Sequence, residues 1–165
     1  MKKKIILWLL LIIWCSVIFL FSNQSADDSS YLSSNLAEFL KNTIMALKNI
    51  AAPVFKPLYS IDIKILAENL EFIIRKLAHF TIFFILGAIS VPLCACYTQK
   101  KAINFFIPLL FCIFYAICDE FHQFFVPGRS ARIFDVFIDS LGSLCGICFL
   151  LLLSDYRYNK KNKRK

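Results

Sequence analysis

Apolar residues run through this chain in four long blocks, not in strand-like alternation. Residues 5–21, 77–97, 102–126 and 133–153 are each close to the ~20 residues that a helix needs to cross a bilayer. The only extended polar stretch is 22–74, and its apolar positions recur at helical spacing. Ser22-Asn23-Gln24-Ser25 can satisfy the last carbonyls of a first helix, and Asp27, Asp28, Ser29 and Ser30 offer N-caps to the next. Leu32, Leu36, Phe39, Leu40, Thr43, Leu47 and Ile50 then fall on one helical face. Ala51-Ala52-Pro53 is read as the stop, residues 57–60 as a connector, and residues 61–74 as a second helix with Leu66, Leu70, Ile73 and Leu77 in a stripe. The pattern predicts an all-α polytopic membrane protein: a four-transmembrane-helix bundle, one membrane domain over 1–165. Two amphipathic helices lie between spans one and two, on the membrane surface or folded over the bundle.

Composition agrees with that reading. The chain is 59% hydrophobic, with a mean hydropathy of +0.66, above the range of soluble domains. Its 165 residues leave no room for a separate soluble domain once four spans are placed. The net charge of +8 suggests nucleic acid until its distribution is followed. Lys2, Lys3, Lys4, Lys100, Lys101, Arg157, Lys160, Lys161, Lys163, Arg164 and Lys165 share one side with a single acid, Asp155, for a net +10. The eight remaining basic and ten acidic residues leave −2 on the other side. Basic flanks stay cytoplasmic, so both termini are expected inside and residues 22–74 outside. The basic tail is suited to anionic lipid, and no nucleic-acid partner is expected.

The first apolar run is longer than a signal-peptide core and ends in no small-x-small cleavage site, so it is expected to be retained as a helix. Trp14 before Cys15, in mid-run, does not fit a lipoprotein site. All seven cysteines (15, 94, 96, 112, 118, 145 and 148) lie in apolar segments, which suits packing and no disulfide framework.

The candidate chemistry is concentrated between Cys118 and Gly146. Asp119, Glu120, His122 and Gln123 close span three, Asp135 and Asp139 open span four, and Val126-Pro127-Gly128-Arg129-Ser130 turns between them. At the helical rise, His79 sits ~6 Å inside the outer end of span two, and Asp119, Glu120 and Asp139 sit ~9 Å inside theirs. Ionisable groups from three helices thus meet in one layer, and in a membrane such groups are costly unless paired or wetted. Lys76 and His79, three residues apart, share a helix face. Arg129 and Arg132, with exposed turn amides, suit an anion such as phosphate or carboxylate. An alternative is a self-satisfied ion-pair network in which Asp119 or Glu120 pairs with Arg129 or Lys76. Gly87, Gly142 and Gly146 invite close helix approach, and Pro92 and Pro108 interrupt spans two and three.

Three stretches carry a resemblance. They are Arg75-Lys-Leu-Ala-His-Phe-x-x-Phe-x-x-Leu-Gly87, Asp119-Glu-x-x-Gln-x-Phe-x-Pro-Gly-Arg129 and Asp135-x-x-x-Asp-Ser-x-Gly142, with Phe21-Ser-x-Gln24 after the first helix. Together they resemble the VanZ-like family over essentially the whole chain. The resemblance implies a multi-pass protein of the bacterial cell membrane, related to a protein associated with resistance to the glycopeptide teicoplanin. Many members of that family carry Asn where Asp139 stands.

Three functions are weighed. In the first, Lys76, His79, Asp119, Glu120, Gln123, Arg129, Asp135 and Asp139, with Arg132, bind an anionic lipid or a cell-wall precursor group at the outer leaflet. Susceptibility to teicoplanin-type glycopeptides would change as a result. In the second, a membrane-embedded hydrolase or transferase acts on a lipid-linked envelope substrate, with His79 or Glu120 as general base and Arg129 as anion clamp. In the third, His79, Glu120, His122, Asp135 and Asp139 hold a divalent metal. No H-E-x-x-H-like spacing supports the third, so no metal and no cofactor is expected.

Overall fold

A computed structural model describes residues 1–51, 63–129 and 131–162. Within them the chain is helical, in the order α1 (Lys2–Ser22), α2 (Ala26–Ala51), α3 (Ile63–Cys94), α4 (Lys101–Gln123) and α5 (Ile133–Asn162). Four stretches are long and apolar enough to cross a membrane: Lys2–Ser22, Phe72–Cys94, Lys101–Gln123 and Ile133–Arg157. Helices satisfy their own backbone, as hydrocarbon requires. Outward-facing side chains such as Trp8, Phe106, Phe114, Phe121, Phe137 and Leu152 supply the apolar surface that lipid tails contact. The protein is a multi-pass helical bundle.

Helices α3 and α5 run parallel and form the most extensive pairing, while α1 and α4 run the opposite way. Small residues make that pairing possible. A Cβ placed on Gly142 or Gly146 would overlap the backbone carbonyl of Phe80 or Phe84, and one on Gly87 would overlap that of Ser143. Ser143 Oγ adds an interhelix hydrogen bond to the Phe83 carbonyl at 3.3 Å. On the other flank, Trp14 Nε1 donates to the Ile82 carbonyl at 2.9 Å, and Tyr115 donates its hydroxyl to the Cys15 carbonyl at 2.7 Å. These bonds tie α1 to α3 and α4 around a core of Leu11, Ile18, Phe83, Leu86, Leu93, Cys112 and Ala116.

The start of α1 and the end of α5 fall at one end of the bundle. There Lys101 pairs with Asp155 at 2.7 Å, and Trp8 Nε1 donates to the Tyr97 hydroxyl at 3.0 Å. Lys4 sits 4.2 Å over the Tyr97 ring. The opposite end carries α2, the start of α3 and the turn between α4 and α5.

The helices differ from the expected spans at three places. Span two stops at Cys94, short of Tyr97, because three-residue bonds from Cys96 to Leu93 and from Tyr97 to Cys94 tighten the chain into a turn. Span three ends at Gln123, and residues 124–126 already belong to the turn. The second amphipathic segment is no separate helix from Ile63 onward, because α3 runs unbroken into the membrane with no Gly or Pro before Gly87. The expected stop at Ala52-Pro53, the connector at 57–60, the start of that segment at 61–62 and the last three basic residues lie outside the described residues.

Helix α2 turns a different face inward than its apolar pattern suggests. Ser33 and Ala37 are buried, whereas Leu36, Phe39 and Leu40 remain exposed. Small residues let α2 approach α3, and Arg75 Nη2 donates to Ser30 Oγ at 2.9 Å across that contact. Phe39 and Leu40 run alongside the contact on the surface, and Leu36 borders the cavity described below.

Candidate functional site in the layer opposite the termini

The turn that organises this end follows from its sequence. Pro127 fixes its own φ, Gly128 adopts a φ of 75°, and Arg129 N–H donates to the Val126 carbonyl at 3.1 Å. This is the Pro-Gly turn that needs a left-handed third residue, and it returns the chain from α4 to α5 with Arg129 half-buried. Burial pushes the Arg129 guanidinium down from its ordinary value. Asp119 counters that shift, Arg75 adds to it, and Glu120 opposes it again.

Glu120 is buried, and its Oε2 accepts the backbone N–H of Arg132 at 2.9 Å. It thereby satisfies a donor at the approach to α5, where the helix dipole favours a carboxylate. Its Oε1 has no hydrogen-bond partner among the described residues. Asp119, one position earlier, is buried and accepts from Gln123 Nε2 at 2.9 Å through Oδ2. Lys76 pairs with Asp135 in the first turn of α5. His79 Nδ1 stands 3.4 Å from Asp139 Oδ1. Asp139 is 0% exposed, and neither of its oxygens has a hydrogen-bond partner among the described residues.

All eight expected residues therefore reach this end, and Lys76 and Glu120 take other partners than expected. Lys76 goes to Asp135 and Glu120 to a backbone amide, so neither joins the pairing proposed between Asp119 or Glu120 and Arg129 or Lys76. The reason is helical rotation: Lys76 faces the start of α5, whereas Arg75, about 100° round the helix, faces α1 and α2. The five-residue metal set does not assemble either. Among the described residues, His79 and Asp139 come together with Asp119, whereas His122 stacks on Phe19 with ring centroids 4.6 Å apart.

Beside these groups a cavity of about 260 Å³ opens between α1, α2, α3 and α4. Ile18, Phe21, Leu36, Ile74, Ile82 and Phe83 make it apolar, and Ser22, Gln24, Ser33, Arg75, His79, Asp119 and Arg129 make it polar. Sequence reasoning missed Arg75 as a site residue. Its signal was present: Arg75, Ala78, His79 and Ile82 follow i, i+3, i+4, i+7 spacing, and all four line the cavity.

A protein-family model described as VanZ/LLP1 matches residues 7–154. The chain belongs to the VanZ/LLP1 family. No curated protein and no solved structure matches it. The matched stretch of this VanZ/LLP1 chain contains every residue of the polar layer, from Ser22 to Asp139, and the whole of the α3–α5 seam. The Asp119-Glu120…Pro127-Gly128-Arg129 run that carries the resemblance builds the turn, the Arg132 amide contact and one wall of the cavity.

Proposed function

We propose that this chain binds the anionic head group of an amphiphile, a lipid or a lipid-linked envelope precursor, in the cavity between α1, α2, α3 and α4. The observation that carries the reading is the make-up of that cavity. Apolar walls end in Arg129 and Arg75, with His79 and Asp119 beside them. Apolar lining with a few convergent polar groups is the ordinary make-up of a ligand site. Its volume of about 260 Å³ is below the ~300–1,000 Å³ of drug-sized sites. It therefore suits a head group and the start of a chain, with the remaining tail in the bilayer.

The positive-inside bias of the flanks supports an orientation with both termini cytoplasmic and the cavity in the outer leaflet of a bacterial cell membrane. There it would compete with, or reorganise, the surface on which a lipid-tailed glycopeptide assembles. Teicoplanin-type susceptibility is the expected readout.

The test is lipid retention by protein purified into phosphatidylglycerol/phosphatidylcholine nanodiscs and released for native mass spectrometry. Phosphatidylglycerol should be retained preferentially. Arg129→Gln should weaken retention by about 10- to 100-fold, the equivalent of one charge-assisted hydrogen bond at ~1.5–3 kcal/mol. Equal retention of the two lipids, or an Arg129→Gln protein that retains phosphatidylglycerol as well as wild type, would overturn the reading. Expression in a susceptible bacterium should shift susceptibility to teicoplanin more than to vancomycin. Equal shifts for the two drugs argue for altered precursor chemistry instead.

That outcome would favour a second reading, a hydrolase or transferase acting on a lipid-linked substrate. His79 supports it, because it touches Asp139 and lines the cavity, as a general base held by a carboxylate would. Glu120, bonded to the Arg132 amide, is the weaker candidate for that role.

A further inference from the structure

We propose that His79, Asp119 and Asp139 form a binding site for a single divalent transition-metal cation, zinc or manganese in type, with its open coordination positions facing the cavity. One ligand atom from each residue lies within 4.8 Å of the other two, and His79 Nδ1 is 3.4 Å from Asp139 Oδ1. Ligands bonded at ~2.0–2.1 Å in a tetrahedron stand ~3.3 Å apart. The His79–Asp139 edge already has that spacing, and the other two lie within 4.8 Å and close to it as the side chains turn onto the ion.

The second observation is Asp139 itself. It is 0% exposed, and neither oxygen accepts a hydrogen bond among the described residues. The Ser143 hydroxyl, one turn further along the helix, does not serve it. Ser143 Oγ donates to the backbone carbonyls of Asp139, at 3.0 Å, and of Phe83. Lys76 is committed to Asp135, and the Gln123 side-chain amide donates to Asp119. A buried carboxylate whose charged neighbour is a single imidazole 3.4 Å away is costly in a membrane, and two carboxylates side by side more so. A protonated His79 would leave the trio with a net charge of −1, and a divalent cation with neutral imidazole brings it to zero. Arg129, which lines the cavity with Asp119, offsets part of that charge from outside the trio.

The donor set selects the kind of ion. One imidazole and two carboxylates suit zinc or manganese, whereas calcium wants six to eight oxygens and copper(I) wants thiolates or thioethers. Three protein ligands with positions left open are typical of metal sites that act on a ligand, not of closed structural ones. Two of the three, His79 and Asp119, line the cavity beside Arg129, where a cation would take an anionic oxygen of the head group. That role rests on the function proposed above. The presence of the cation does not.

The experiment uses the full chain in detergent, stripped with chelator, reloaded with Zn²⁺ or Co²⁺ and desalted before elemental analysis. Wild type should retain close to one equivalent, and Co²⁺ should give visible d–d bands that Zn²⁺ removes. Loss of a residue that merely orients a ligand costs about 10–100-fold in metal affinity, so His79→Gln, Asp119→Asn and Asp139→Asn should each lower it by ~100-fold or more. Asp155→Asn, at the opposite end of the bundle, should bind as wild type does. Retention at the level of protein-free buffer, or an Asp139→Asn protein that binds like wild type, overturns the site, leaving His79 and Asp139 as an ion pair alone. So does equal loss in Asp155→Asn, which marks surface binding. The Co²⁺ displacement is read on wild type, so it stands if a variant misfolds. Lipid retention is scored on the same preparations. Metal without selective phosphatidylglycerol retention refutes the proposed ligand and keeps the site, whereas selective retention without metal does the reverse.

Discussion

Lys76 and Asp135 offer the sharpest test of how this end of the bundle is held. Their side chains are 14% and 13% exposed, and they bridge the start of α5 to α3. Exposed ion pairs contribute ~0.2–1 kcal/mol, while removing one partner of a buried pair costs ~3–5 kcal/mol because the other charge is stranded. At this burial Lys76→Met should cost ~2–4 kcal/mol. The upper half of that range is favoured because Asp135 would be left near Glu120 and Asp139. For a chain of this size each kcal/mol moves the melting temperature by ~2–4 °C, so the expected fall is ~4–16 °C. The double variant Lys76→Met/Asp135→Leu should recover most of it, since apolar replacement of a whole buried pair is often neutral or better. The assay is thermal unfolding of detergent-solubilised protein, followed by circular dichroism at fixed protein and detergent concentration. The reasoning fails if Lys76→Met melts within a degree of wild type, or if the double variant is as unstable as the worse single one.

Two further predictions concern orientation and the helix seam. In a cysteine-free background, a membrane-impermeant thiol reagent applied to intact cells should label a cysteine at Ser34 and not one at Lys161; the reverse pattern would invert the topology. Gly146→Leu should prevent the close approach of α5 to Phe84 and cost more than the ~1–3 kcal/mol of ordinary overpacking, because backbone atoms are in the way. Unchanged thermal unfolding of that variant would show that the seam is looser than its geometry implies.

Much of the fold was legible because hydrophobic length and charge asymmetry are properties of single segments. The four spans, the turn at Pro127-Gly128 and the small-residue stripe of Gly142 and Gly146 all depend on local sequence, and they came out within a few residues. Partner choice did not, since spacing gives a side chain's angle on its own helix but not how that helix is rotated against its neighbours. That is why Lys76 looked like a cavity residue and Arg75 did not. The same blind spot applies to α2, whose apolar stripe was readable while its packing face, Ser33 and Ala37, was not. In a membrane an apolar face has no need to turn inward, so small residues that allow close approach can take the contact instead. Continuity of α3 from Ile63 was hidden for another reason. The change from amphipathic to uniformly apolar composition near Arg75 marks entry into the membrane, not the end of a helix.

The parallel pairing of α3 and α5 connects these observations to the site. Lys76 meets Asp135, His79 meets Asp139, Ser143 bonds the Phe83 carbonyl, and Gly142 and Gly146 lie on Phe80 and Phe84. Every pair keeps nearly the same offset along the chain, 59 for the first and 60 for the Ser143 bond, as two parallel helices in fixed register must. The polar contacts and the glycine contacts therefore belong to one ladder. Gly142 and Gly146 draw the α5 backbone against α3, and Asp139, one turn nearer the helix start, is carried into the interface with no room to turn toward lipid. The only titratable group that α3 presents at that level is His79. A carboxylate held there without hydrogen bonds is costly by itself, and the packing energy of the seam below it is available to hold it in place. Helix α4 then brings Asp119 to the same point from the opposite direction, and the Pro127-Gly128 turn sets Arg129 beside it. The polar site is thus assembled by small residues that take no part in its chemistry.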